Sequence, residues 1–257
     1  SEAPAEAWVF ETGSNEWHRY GTWPPAVKQT TFYFSAQGRL SNESGKETPL
    51  AMDSYVSDPS KPVPYRERLS AQREPEYMVE DQRFASRRPD VLVYDAPPLE
   101  SDTTVAGPIE VDLWVATTGS DADFVVKLID VFPENAADPE PNPRGVRMGG
   151  YQALVRGEVM RSRFRNSFEQ PEPMTPNQPT RVRFKLPDVN HTFRVGHHIM
   201  VQVQSSWFPL VDRNPQKFVD IYRANPSDFQ VATHKLYRGG DKRSSITLPL
   251  LTGRSTP

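Results

Sequence analysis

Cysteine is absent from this chain of 257 residues. That excludes disulfides, thiolate nucleophiles and cysteine-ligated zinc, and it leaves the compartment open. No run of about 18 apolar residues exists, so no helix is expected to span a bilayer. The opening SEAPAEAWVFETGS has neither the basic start nor the apolar stretch of a signal peptide, and no initiator Met. A trimmed or mature product, or a piece cut from a longer protein, is expected. Net charge is only −3, with both signs interspersed as in RSRFRNSFEQPE. Nothing there argues for a nucleic acid or a membrane as partner.

Catalytic signatures are missing as well. Gly149-Gly150 and Gly239-Gly240 lack the spacing of a phosphate loop. No G-x-S-x-G elbow follows a buried strand, and no βαβ alternation is present to build an α/β scaffold around one. The stretch Gly196–Pro215, GHHIMVQVQSSWFPLVDRNP, holds two His, two Ser and an Asp, but Ser205 and Ser206 end a strand instead of occupying an elbow. His197 and His198 are adjacent, so on a strand they point to opposite faces and cannot share a metal. Asp121 and Asp123 form a D-x-D that calcium could use. With no third acidic neighbour in sequence, the turn role of Asp is favoured. No cofactor or metal is expected.

Proline is what the chain has in excess, with 26 residues, roughly 10 % against a usual 5 %. Proline is confined to strand edges, turns and loops, so β structure with long connections is expected. Ile109–Thr117 alternates with period two. Phe124–Phe132 is apolar on both faces apart from Lys127 and Asp130, as in a central strand. Thr180–Leu186 places Val182, Phe184 and Leu186 on one side and three cations on the other. Ile199, Val201 and Val203 face inward, with Met200, Gln202 and Gln204 outward. Tyr151–Arg165, Phe229–Tyr237 and Ser244–Leu248 supply further strands, and AWVFE, EWHRY, TTFYF and GRL short ones near the start. The fold class is all-β, a sandwich or jelly roll. Residues 41–88 read as a long irregular excursion with one or two short helices around Tyr65–Gln72. An excursion of that length inside a compact domain is usually functional or packed on a partner.

RPDVLVYDAPPLESDTTVAGPIEVDLWVATTGSDADFVVKLIDVFPE (Arg88–Glu134), MGGYQALVRGEVMRSRFRNSF, PTRVRFKLPDVNHTFRVGHHIMVQVQSSWFPLVDRNPQ and ATHKLYR occur in order. Together they resemble the C-terminal domain of the X-prolyl dipeptidyl peptidase and cocaine esterase family. The likeness is strongest to its α-amino-acid ester hydrolases and glutaryl-cephalosporin acylases. AWVFETGSNEWHRYGTWPP resembles the lead-in from the catalytic domain, so the likeness covers essentially the whole chain. One departure is His198, where relatives usually carry an arginine.

The resemblance implies a single C-terminal, non-catalytic jelly roll over residues 1–257, of the galactose-binding-like type. Lead-in strands would occupy 1–40, the excursion 41–88 and the sandwich core 89–257. The catalytic Ser, Asp and His would lie on an upstream α/β-hydrolase domain of the same polypeptide, on which this one packs. Ester or amide substrates would be met through that parent, homo-oligomer contacts are allowed for, and relatives are often periplasmic or secreted. In this family a segment of the excursion lies near the substrate pocket, and EYMVEDQRF (Glu76–Phe84) matches it. Tyr77 and Met78 are then apolar wall residues, and Asp81 and Arg83 interface or rim charges. Trp207, Phe208, Asp212 and Arg213 join them as pocket or interface candidates, although an Asp212–Arg213 ion pair clamping the loop between Pro209 and Pro215 is the plainer role. The alternative reading is a free-standing carbohydrate-binding module that stacks sugars on Trp8, Trp17, Trp23, Trp114 or Trp207.

Overall fold

The computed structural model describes residues 6–43, 45, 47–68, 70, 72 and 74–253. The alternating segments form strands: β1 (Ala7–Glu11), β2 (Glu16–Tyr20), β3 (Val27–Ser35), β4 (Arg39–Ser41), β5 (Met52–Ser57), β6 (Val91–Asp95), β7 (Thr103–Thr117), β8 (Asp123–Val131), β9 (Gln152–Arg161), β10 (Thr180–Phe193), β11 (His198–Gln204), β12 (Ala232–Tyr237) and β13 (Ser245–Leu251). β1 and β2 pair as a hairpin, and the other eleven share one hydrogen-bonded path, β5-β12-β7-β13-β3-β4-β6-β11-β8-β9, with β10 also on β7. At 15 residues, β7 takes β10 along one edge and β12 followed by β13 along the other. The path folds over into two layers. Between them lie alternate residues of β7 (Ile109, Val111, Leu113, Val115) and β10 (Val182, Phe184, Leu186), facing Phe124, Val126 and Leu128 of β8 and Ile199, Val201 and Val203 of β11. This is the jelly-roll-like β-sandwich that the alternation predicts. β10 runs past Pro187, which has no N–H for the ladder, and its register shifts between Leu186 and Val189.

The excursion departs from its reading in two respects. It contains a strand, β5, which pairs with β12 along its full length. Its helical turns lie at Pro75–Val79 and at α1 (Arg83–Ser86). Around Tyr65–Gln72 the described residues are bends and irregular chain, and Leu69 and Ala71 of that stretch lie outside the described residues.

A third difference follows. Met200, Gln202 and Gln204, expected to face outward, do lie on the outer face but are buried there. The excursion and the loop after β11 cover the outer face of β11 and β8, where Val125 packs with Tyr65 and Trp207. β8 is accordingly buried at every residue, and the pattern "apolar on both faces" has a direct cause. The polar side chains on that face are a layer between the sheet and its cover.

Candidate functional site

The two segments singled out in the sequence are brought together. Phe208 N–H donates to the Val63 carbonyl at 3.0 Å, and Tyr65 N–H to the Phe208 carbonyl at 2.9 Å. The Ser206 hydroxyl accepts from Val63 N–H. These bonds lay the loop after β11 along the excursion. Tyr77 fills the angle between them, its ring 5.6 Å from Tyr65 and 5.8 Å, edge-on, from Trp207. Trp207 is buried and lies over Gly157 of β9, where a Cβ would come within 2.9 Å of the indole. Only glycine lets the indole lie this close to β9.

The segment after Tyr77 is pinned from below and presents side chains outward. The Tyr151 hydroxyl donates to the Val79 carbonyl. The Gln82 side chain donates to the Glu80 carbonyl at 2.8 Å, and Gln82 N–H to the Gln152 carbonyl at 2.9 Å. Asp81 accepts from Gln152 N–H and pairs with Arg83. Arg83 also donates to the carbonyls of Gly149 (2.9 Å) and Arg147 (3.2 Å). Both charges thus fix the segment. Met78 and Val79 stand out from it, 50 % and 69 % exposed.

The expected Asp212–Arg213 clamp is not how the other loop is held. Arg213 donates to the Pro59 carbonyl at 3.0 Å and lies over the rings of Phe208 and Phe229. The Asp212 carbonyl accepts from Arg161 at 3.2 Å, and its exposed side chain lines a groove of about 470 Å³ with Leu210, Val211 and Tyr222. A buried network holds the loop instead. Arg163 Nε donates to Asp121 Oδ2 at 2.8 Å, and Ser162 to Asp121 Oδ1 at 2.9 Å. Arg161 forks onto Asp123 at 2.9 and 3.0 Å. Asn214 donates to both carboxylates, and Arg163 reaches the Val219 carbonyl. The D-x-D pair is therefore filled by arginines. Burial raises the Asp123 carboxyl against the pull of Arg161.

The histidines are distributed among separate partners. His191 Nε2 and His197 Nδ1 lie 3.2 and 2.8 Å from the two oxygens of buried Asp130, and His198 Nδ1 lies 2.5 Å from Asp95. Burial alone would raise the Asp130 carboxyl, but these two hydrogen bonds outweigh it and hold the carboxyl below its ordinary value. Thr12 meets His191 Nδ1 at 2.8 Å, completing a hydroxyl–imidazole–carboxylate line. Its backbone is bonded to Asn190 and Thr192, so the line staples the β1–β2 hairpin to β10. Among the described residues no group of three or more His, Asp or Glu is placed to hold a metal ion. Trp8 and Trp17 are 63 % and 60 % exposed, yet their rings meet at 63° and form no flat stacking platform.

His234 is buried between Tyr55 and Phe124, and among the described residues neither nitrogen has a hydrogen-bond partner. Burial pushes its pKa down from 6.5 to about 3. Between those values the unfolded chain holds a proton that the folded chain refuses, so stability falls as pH drops from 6.5 towards 3. His234→Leu is expected to flatten part of that fall in urea titrations at pH 7, 5.5 and 4.5. An unchanged pH slope would place the acid sensitivity elsewhere.

Lys127, an isolated cation in the sequence, proves to be the centre of the polar layer. Its Nζ donates to Gln82 Oε1 at 3.1 Å and sits 5.1 Å from the Trp207 ring centre. Burial lowers its pKa from 10.5 to about 7. Its only trace in the sequence is an interruption in an apolar run.

The profile of the X-Pro dipeptidyl-peptidase C-terminal non-catalytic domain matches residues 1–247. Cocaine esterase of Rhodococcus sp. (strain MB1 Bresler) is 30 % identical over 251 residues, 95 % of this chain and 41 % of that protein. An aminopeptidase from a marine-sediment Thaumarchaeota archaeon superposes with a TM-score of 0.88 at 41 % identity, over 98 % of this chain and 41 % of that one. An α-amino acid ester hydrolase gives 0.88 at 43 % identity, over 95 % and 41 %. The chain thus spans about two fifths of the length of these relatives.

Proposed function

This chain belongs to the family of X-Pro dipeptidyl-peptidase C-terminal non-catalytic domains, and on that premise we propose that it serves as the accessory domain of a serine hydrolase acting on esters or amides. In this reading residues 1–257 are one C-terminal domain. It packs on an α/β-hydrolase domain of the same polypeptide and supplies part of the substrate-pocket wall. The reaction would be acyl transfer to water by a serine–histidine–aspartate set outside this chain.

The observation that carries this reading is the construction of the 75–86 segment. Its backbone is tied down at Val79, Glu80 and Gln82, while Met78 and Val79 are held out with their apolar side chains exposed. Ordering a surface segment this firmly opposes conformational entropy. Two apolar side chains held in water gain nothing from that order until another surface covers them. Phe208, exposed on the adjoining loop, would extend the same wall.

The test compares p-nitrophenyl and α-amino-acid methyl ester hydrolysis by this chain and by the full-length hydrolase, with Met78→Asp in the latter. Turnover is expected only from the full-length protein, and Met78→Asp is expected to change KM on the order of tenfold. Met78 is a cleaner probe than Tyr77, because truncating Tyr77 would also open the packing between Tyr65 and Trp207. Ester turnover by the chain alone, or fluorophosphonate labelling of one of its hydroxyls such as Thr12, would overturn the non-catalytic reading. Unchanged kinetics with a lowered Tm would remove Met78 from the pocket.

A further inference from the structure

Lys127 occupies the middle of β8, paired across the ladders with Gln202 on β11 and Gly157 on β9. Its side chain lies on the outer face and is wholly buried. Around the ammonium are Trp207, Phe84 at 5.9 Å from ring centre, and the Gln82 amide. Among the described residues no carboxylate pairs with it. A methionine or leucine would fill such a place without desolvation of a charge. Among the described residues the lysine makes one side-chain hydrogen bond that an apolar residue could not, and it goes to Gln82.

Gln82 is itself wholly buried, and its side chain is a bridge. Oε1 accepts from Lys127 Nζ at 3.1 Å, and Nε2 donates to the Glu80 carbonyl at 2.8 Å. The chain of bonds therefore runs from the sheet, through one amide, to the backbone two residues from Met78. The strand end of this chain is rigid, since β8 is buried at every residue and Gly157 leaves room for Trp207 to cover the lysine.

We propose that Lys127 is a positioning residue for substrate selectivity, fixing through Gln82 the pose of the Met78–Glu80 segment. This rests on the reading of that segment as pocket wall. Lys127 does not touch substrate. It sets where Met78 and Val79 stand, so its removal alters which acyl or leaving groups fit more than it alters the chemical step. Such a shift acts on how well a substrate seats, where a missing or misplaced apolar contact changes discrimination by about tenfold or more.

The experiment uses the full-length hydrolase and p-nitrophenyl acetate, butyrate and hexanoate, with Lys127→Met, Gln82→Met, the double variant and Met78→Ala. Each single variant of the bridge is expected to change the hexanoate-to-acetate ratio of kcat/KM by about fivefold or more, carried in KM and not in kcat. The double variant is expected to match either single one, because both cut the same link. Gln82→Met keeps the test alive if Lys127→Met does not fold. If Met78→Ala shifts the ratio while both bridge variants leave it within twofold, the positioning role is wrong and the pocket wall stands. Additive effects in the double variant would also overturn it. If Met78→Ala leaves the ratio unchanged, the pocket-wall reading itself has failed.

Discussion

Asp121→Ala is expected to destabilise the chain by about 3–5 kcal/mol, the usual consequence of stranding a buried charge. Arg163 is buried and reaches Asp121 through Nε at 2.8 Å. Among the described residues the other hydrogen bond of its guanidinium is to the Val219 carbonyl, which cannot neutralise it. The same substitution strips acceptors from Ser162 and Arg163 N–H. For a chain of this size each kcal/mol moves Tm by about 2–4 °C, so a fall on the order of 10 °C should appear in calorimetry. Asp112→Ala is the control. Its partner Arg181 is largely exposed although the pair is only 2.5 Å apart, and the loss should stay within about 1 kcal/mol. Equal effects of the two substitutions would mean that burial does not decide the strength of these pairs.

Lys127→Met is expected to act in the opposite direction. The gap between 10.5 and about 7 corresponds to about 5 kcal/mol of disfavoured protonation at or below neutral pH. The unfolded chain binds the proton throughout pH 7–10.5 and the folded chain does not. Stability must therefore rise with pH across that window, with the penalty complete below it and absent above it. Losing the bond to Gln82 and the ring contacts offsets part of the gain, which leaves about 1–4 kcal/mol of net stabilisation at pH 7. Urea unfolding at pH 6.5, 8 and 9.5 separates the cases. The wild-type chain should climb and Lys127→Met should stay nearly flat. A less stable variant with the wild-type slope would show that the lysine is not the group titrating. Greater stability with altered selectivity in the full-length hydrolase would make Lys127 a residue kept for function at the expense of the fold.

The sandwich was legible in the sequence wherever one strand face meets the core and the other does not. Period two located β7 and β10, and a doubly apolar run located β8. β5 was not legible, because MDSYVS is short, polar and set among prolines, and the partner that orders it, β12, comes 175 or more residues later. That the outward-facing Gln202 and Gln204 are buried was not legible for a related reason. Alternation reports which residues differ, and it cannot report that a distant excursion covers the second face. The site divides in the same way. Tyr77, Met78, Asp81 and Arg83 were singled out as candidates through a family resemblance, and the structure places their segment against the loop that carries Trp207. The roles of Lys127, Gln82 and Gly157 depend on contacts between three separate segments, and no local pattern announces those.

The placement of β13 has a consequence for biosynthesis. It lies between β7 and β3, so the strand latest in the order of this sheet fills a slot between two earlier ones. Until then both of its neighbours carry an unpaired edge, open to any compatible strand. The sheet cannot close until β13 itself has been made. A nascent chain stalled before Ser245 would keep that slot open, and the β13 of a neighbouring molecule is the segment shaped to enter it.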